Sequence, residues 1–218
     1  MAALLRPLVM TSLYNRIAGR SRERLAALSD GVFAFAMTVL VLDLRPPAAA
    51  LIHSEGELGQ ALWVLAPHLV PFLMSFMTLG IFWVGQQTQH DALSHTDRSY
   101  TWFHIGFLMA VCLLPFSTSL LAEFIEFRIA LLVYWANLLL LGLLLLAGWY
   151  RAKWFGLVRN DAPLDIDNAF IRRVVVAQAL YAFGAVLCVF STWWSIGFIF
   201  AVQINYVIAP RFKPFSWL

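Results

Sequence analysis

The chain has 218 residues, of which 61% are hydrophobic and only 12% are charged. Soluble domains contain about 45–50% apolar and about 25% charged residues, so this composition excludes a soluble globular protein. The formal net charge is only +3, and we expect no nucleic-acid partner because membrane topology explains most of the positive residues. We therefore predict an all-α, multi-pass membrane protein.

Six apolar segments are near or above the length of about 20 residues that a helix needs to cross a bilayer. We interpret residues 1–218 as a single subunit, because no internal repeat divides the sequence. The predicted helices cover residues 25–44, 58–85, 99–121, 127–150, 171–190 and 193–210.

The basic residues are distributed unequally between the two sides of these helices. When the N-terminus is placed inside, only Arg45 and Arg128 of the 15 Lys and Arg residues fall outside. Cytoplasmic loops carry such an excess of Lys and Arg. The sequence therefore predicts a multi-pass membrane protein with both termini in the cytoplasm.

The first predicted helix carries a charge within its apolar sequence. From Gly31 to Leu42 the only polar side chain is Thr38, and Asp30 lies directly before this run. An acidic residue at this depth is costly and indicates a functional or structural network. The alternative is that Ser29 or Asp30 simply caps a helix that begins at Gly31.

Arg24 and Asp30 cannot pair with each other on one helix. They are six residues apart, which places them about 120° from each other around the helix axis. Each should therefore find partners on other helices. The polar candidates near the same membrane surface are Trp83, Gln86, Gln87 and His90 in the second helix, and Tyr100 and His104 in the third.

One face of the first helix has a regular spacing that permits two interpretations. The residues at this spacing are Arg24, Leu28, Gly31, Phe35, Thr38 and Leu42. They could pack against neighbouring helices. Alternatively they could line a pore, with Phe35 and Leu42 as hydrophobic constrictions and Thr38 as a hydroxyl ring between them, since apolar rings can gate by dewetting.

No motif for catalysis or for a cofactor occurs in the sequence. It contains no Gly-x-Ser-x-Gly, His-Glu-x-x-His or phosphate-binding glycine loop, so we expect neither an enzyme nor a cofactor. His90, Asp91, His95 and Asp97 match no standard metal signature and are interpreted as solvated loop residues. The backbone-carbonyl filter sequence of ordinary potassium channels is also absent.

The segment Arg24-x-x-x-Leu28-Ser29-Asp30 resembles the Arg-x-x-x-Phe-Ser-Asp signature of the lysosomal-type transmembrane potassium channels and their prokaryotic homologues. Residues 80–84 and 113–118 resemble the second and third helices of that family. The resemblance implies a homotetramer whose first helices line a central potassium pore, with side chains as filter and gate. It also implies that the motif stabilises the cytoplasmic end, in a network that we expect to contain Arg24, Ser29, Asp30, Trp83, Gln86 and His90.

The sequence departs from that family pattern at three places. Leu28 replaces the motif phenylalanine, and Gln86-Gln87 replace a more histidine-rich pair. Phe35 stands where isoleucine or leucine is usual at the constriction, which affects the expected pore width.

Two other functional classes stay open at this point. Asp30 and Asp43 lie near opposite ends of one helix, which would suit an ion-coupled or proton-linked secondary transporter. Such transporters more often contain inverted repeats and broken helices, which the sequence lacks. A membrane enzyme or a non-conducting scaffold is supported only by the loop histidines.

Overall fold

The computed structural model describes residues 21–161, 163 and 165–208, and the secondary structure in these ranges is helical apart from one isolated β-bridge between Leu93 and Val158. This confirms the predicted all-α, six-helix fold. Five of the helices are long and apolar enough to cross a membrane, and α6 is shorter, with 17 residues. The helices are α1 (Arg22–Leu40), α2 (Glu55–Asp91), α3 (Arg98–Glu123), α4 (Arg128–Trp154), α5 (Ile166–Val186) and α6 (Thr192–Ile208).

Helix α1 begins earlier than the sequence predicted. The Ser21 hydroxyl accepts a hydrogen bond from the backbone N–H of Arg24, which caps the first turn. Ser29 and Asp30 therefore lie in the interior of the helix, and the interpretation that one of them caps it is wrong. At the other end, the helix passes into a 3₁₀ turn at Val41–Asp43 before the two prolines that follow Arg45.

Helix α2 is longer than predicted and spans 37 residues, or about 56 Å at 1.5 Å per residue. It begins at the N-cap residue Ser54, whose hydroxyl accepts from the N–H of Glu57, while the Glu57 carboxylate accepts from the N–H of His53. It continues past the predicted end at residue 85 as far as Asp91. His90 is therefore a helical residue, and it is buried, so the interpretation of His90 as a solvated loop residue is wrong.

The helices form a ring in which α2, α3, α4, α5 and α6 each pack against the next, and α6 packs against α2. Helix α1 lies outside this ring and packs mainly against α2 and α3. Among the described residues, one side of α1 is therefore covered by its own subunit, and the other side is not.

A buried set of polar side chains connects four of these helices. The Tyr134 hydroxyl of α4 lies 3.4 Å from Ser75 Oγ and 3.3 Å from Thr78 Oγ1, both in α2. Ser75 is 2.6 Å from Thr118 of α3, and Gln203 of α6 donates to Thr78 at 2.7 Å. These neutral hydrogen bonds join the helices at a depth where each polar group needs a protein partner.

Candidate functional site

Helix α1 has one buried face and one exposed face. Its buried residues are Leu25, Ser29, Phe33, Ala36 and Leu40, which recur every three or four positions. On the opposite face Phe35 and Leu42 are each 70% exposed and Leu28 is 49% exposed, and Thr38 is also exposed. The structure thus places Phe35, Thr38 and Leu42 together on a surface that no described residue of the subunit covers.

The hydroxyl of Thr38 has a defined orientation on this face. It donates a hydrogen bond to the Phe35 carbonyl oxygen at 2.8 Å. Because the single hydroxyl proton is used within the helix, the oxygen lone pairs are left for a partner outside it. An oxygen presented in this way can interact with a cation but has no proton to donate to an anion.

Ser29 is the centre of a hydrogen-bond network that joins α1, α2 and α3. Its hydroxyl donates to the Leu25 carbonyl at 2.9 Å and lies 2.6 Å from His104 Nε2. Gln86 Nε2 donates to the same Ser29 oxygen at 3.3 Å and also contacts His90 at 2.9 Å. The rings of His90 and His104 have their centroids 4.7 Å apart. When His104 carries its proton on Nε2, Ser29 uses its one donor and two acceptor positions at a site where it is fully buried.

Asp30 is exposed, but it still contacts the neighbouring helix. Its carboxylate accepts from Trp83 Nε1 at 2.9 Å and from Gln87 Nε2 at 3.4 Å, and both donors belong to α2. Of the six residues expected in the motif network, Ser29, Gln86 and His90 form one hydrogen-bonded group, and Asp30 and Trp83 form a second. Gln87 and His104 also contact motif residues, although the sequence indicated them only as possible partners and not as members of the network.

Arg24 differs from the other motif residues. It is exposed, and its side chain forms no hydrogen bond or ion pair with residues in the described part of the chain. Arg22 makes a contact beyond its own helix instead, by donating from Nη1 to the carbonyl oxygen of Leu93, in the loop between α2 and α3, at 3.0 Å. This choice between Arg22 and Arg24 could not be predicted, because both arginines lie in the first turn of the same helix.

The acidic and histidine residues that follow α2 do not converge on one point. Asp97 accepts from the N–H of Tyr100 at 2.6 Å and from Arg151 at 2.7 Å, so it caps α3 and forms an ion pair. Asp91 and His95 are exposed. Among the described residues there is no group of three or more His, Cys, Asp or Glu side chains that could hold a metal ion.

Comparison with known proteins identifies relatives over most of the chain. The model of a family described as endosomal/lysosomal potassium channel TMEM175 matches residues 24–115. A potassium channel of Chamaesiphon minutus is 30% identical over 189 residues, which cover 85% of this chain and 93% of that protein. A potassium channel of Streptomyces collinus is 31% identical over 172 residues, which cover 76% and 80% of the two chains.

A solved structure and an animal relative extend this comparison. The crystal structure of a lysosomal potassium-selective channel TMEM175 homolog from Chamaesiphon minutus matches with a TM-score of 0.75 and 28% identity, covering 86% of this chain and 97% of that one. The endosomal/lysosomal proton channel TMEM175 of Danio rerio is 24% identical over 191 residues. That match covers 87% of this chain but only 35% of the fish protein.

Proposed function

The chain belongs to the TMEM175 potassium-channel family, and from this premise we propose that it conducts potassium passively through a pore lined by one face of α1. The family consists of channels and not of enzymes. The permeant ion is potassium, and conduction needs no resident cofactor in this proposal. The chain itself is a multi-pass membrane protein with apolar helices of membrane-spanning length.

The exposed row of Phe35, Thr38 and Leu42 is the observation that carries this proposal. Among the described residues, helix α1 packs mainly on two helices of its own subunit, and the row is left uncovered, so these residues do not enclose a water-filled path around it. Four copies of α1 around one axis would enclose it and would cover the exposed apolar side chains. We therefore propose a homotetramer in which each subunit contributes one α1 to the pore.

In this pore Phe35 and Leu42 would form apolar rings, with the Thr38 hydroxyls between them. An apolar ring offers a potassium ion no oxygen to replace its water and acts mainly as a barrier. The Thr38 oxygens would be the first side-chain ligands that an ion meets between the two rings. Selectivity would then come from partial dehydration, which costs less for the larger and less tightly hydrated ion.

The motif network supports the pore without touching the ion. Ser29 and Asp30 hold α1 against α2 and α3, which fixes the direction of the exposed row. Arg24 lies on the exposed side of α1 and has no partner in the described part of its own subunit. We propose that it contacts the adjacent subunit in the tetramer.

The charge distribution and the bacterial relatives support a proposal about the location. We propose a prokaryotic plasma membrane with both chain termini in the cytoplasm. A cysteine-labelling experiment on intact cells, with single cysteines placed in the α1–α2 and α2–α3 loops, tests the orientation. Only the α1–α2 loop should react with an impermeant reagent.

Ion flux into liposomes that contain only this protein tests the function. A potassium gradient should produce rapid downhill flux that requires no second ion and that does not saturate as a carrier would. Parallel vesicles with sodium or proton gradients measure selectivity, the latter with a pH-sensitive dye. Exchange that depends strictly on a coupled ion would contradict the channel proposal and favour the transporter.

A further inference from the structure

A membrane-embedded cleft lies between α2 and α5, on a part of the bundle that the pore proposal does not use. In the ring of helices, α6 lies between α2 and α5. The cleft has a free volume of about 250 Å³. Its walls are mostly hydrocarbon. They include Ile81, Phe82, Val84, Leu145, Phe170 and Val174.

The lining of the cleft contains one cationic side chain, Arg173. This arginine is exposed, and its guanidinium lies 5.3 Å from the ring centroid of Tyr206, which also lines the cleft. Arg173 forms no ion pair with a carboxylate in the described part of the chain. The neighbouring Asp167 is already bonded to Trp149 and Lys153.

The position of Arg173 along α5 suits a contact at the membrane surface. It lies seven residues after Ile166, about 10 Å from the start of the helix. Side chains on a helix point towards its N-terminus, and a long arginine side chain can extend to the headgroup level while its stem stays in an apolar environment. The charged end of Arg173 can therefore reach a lipid phosphate at the mouth of the cleft.

We propose that this cleft binds an anionic phospholipid, with one acyl chain along the apolar walls and the phosphate at Arg173. The walls match a hydrocarbon chain, and the unpaired guanidinium matches an anionic headgroup. Basic pockets between membrane helices bind anionic lipids for this reason. The guanidinium can also form paired hydrogen bonds to phosphate oxygens.

Two other occupants fit the cleft less well. Residues 209–218 follow α6 in the sequence, but they contain Arg211 and Lys213 and no acidic side chain, so they would bring like charges to Arg173. Water could bond to Gln178 Oε1 and the Tyr181 hydroxyl, which have no partner in the described part of the chain. Water would nevertheless leave the long apolar walls without contacts.

Native mass spectrometry of the delipidated full-length protein tests the proposal. The protein is titrated with phosphatidylglycerol and, separately, with phosphatidylcholine of identical acyl chains. We expect tighter binding of phosphatidylglycerol by roughly fivefold, the effect expected for one basic residue near an anionic headgroup. Arg173→Gln should remove this preference and Arg173→Lys should largely keep it. The matched control is Arg172→Gln, which removes the same charge at nearly the same depth but outside the cleft lining.

A second variant tests the apolar part of the site. Ala169 lines the cleft and is exposed, so Ala169→Trp should fill the cleft and reduce binding of both lipids without repacking the core. Equal binding of the two lipids by the wild type would overturn the proposal, as would equal losses in Arg172→Gln and Arg173→Gln. Lipid binding that Ala169→Trp leaves unchanged would also overturn it and would indicate water or residues 209–218 in the cleft. These measurements do not depend on conduction, so they are independent of the channel proposal.

Discussion

Ser29→Ala is the substitution whose effect can be worked out most directly from the structure. Ser29 is fully buried, and it accepts hydrogen bonds from Gln86 of α2 and from His104 of α3 when His104 carries its proton on Nε2. Alanine removes the acceptor and leaves both donors without this partner. The third bond, to the Leu25 carbonyl, matters less because that carbonyl also accepts within the helix.

The expected cost depends on the environment of these bonds. A buried donor left unsatisfied in a water-soluble protein costs about 1–3 kcal/mol. Interhelical hydrogen bonds in a membrane bundle average only about 0.6 kcal/mol, with a maximum of about 1.7 kcal/mol. The membrane values apply here, so the loss of two bonds should lower the free energy of unfolding by about 1–3 kcal/mol.

Reversible denaturant unfolding in detergent micelles, at fixed protein concentration, measures this change. Thr88→Ala is the control, because the Thr88 hydroxyl is exposed and bonds only to the Val84 carbonyl of its own helix. Thr88→Ala should change the free energy of unfolding by no more than about 0.5 kcal/mol. If Ser29→Ala is no more destabilising than Thr88→Ala, the network does not hold α1 in place and the reasoning is refuted.

Three further predictions follow from other parts of the molecule. Asp30→Ala removes the acceptor for two α2 side chains and should lower the yield of assembled protein in size-exclusion chromatography more than it changes ion preference; normal yield with altered preference would indicate direct ion contact. Thr38→Val keeps the side-chain volume and removes the hydroxyl, so it should reduce potassium preference over sodium in bi-ionic flux while assembly stays intact. Gly184→Ala would place a carbon 2.7 Å from an Ile199 side-chain carbon and should lower the free energy of unfolding by about 1–3 kcal/mol in the same unfolding assay. Gly197→Ala is the control, because the new carbon meets no described atom within 4 Å and should not lower the free energy of unfolding.

The number and order of the helices could be predicted because lipid solvation imposes a simple rule. A crossing helix needs an apolar run of a known length, and such runs are visible in the sequence. The predicted ends of the helices were less accurate than their number and order. Helix α2 continues to Asp91 because Gln86 bonds to Ser29 of α1 and the His90 ring packs against His104 of α3, so a polar sequence there does not end the helix.

The partners within the site were only partly predictable. Helical geometry excluded a pair between Arg24 and Asp30 and placed polar residues of α2 near Asp30. It could not select among Trp83, Gln86 and Gln87, because that choice depends on the rotation of α2 about its axis. The exposure of Arg24 could not be predicted from the sequence, because it depends on which face of α1 packs against the rest of the subunit.

The pore assignment of the α1 face is the central claim, and Phe35→Ala tests it most directly. Removing the phenyl rings should lower the free-energy barrier that a potassium ion meets at the narrowest apolar ring. Each reduction of this barrier by about 1.4 kcal/mol raises the rate of ion passage about tenfold. Met37→Ala is the control, because Met37 lies about 160° around the helix from Phe35 and packs against the core.

Potassium and sodium flux are measured in liposomes containing equal amounts of assembled wild-type protein, Phe35→Ala or Met37→Ala. The account predicts a higher flux and weaker discrimination between potassium and sodium in Phe35→Ala, with Met37→Ala close to the wild type. A large effect of Met37→Ala together with an unchanged Phe35→Ala would contradict it and would place the pore on another face of α1.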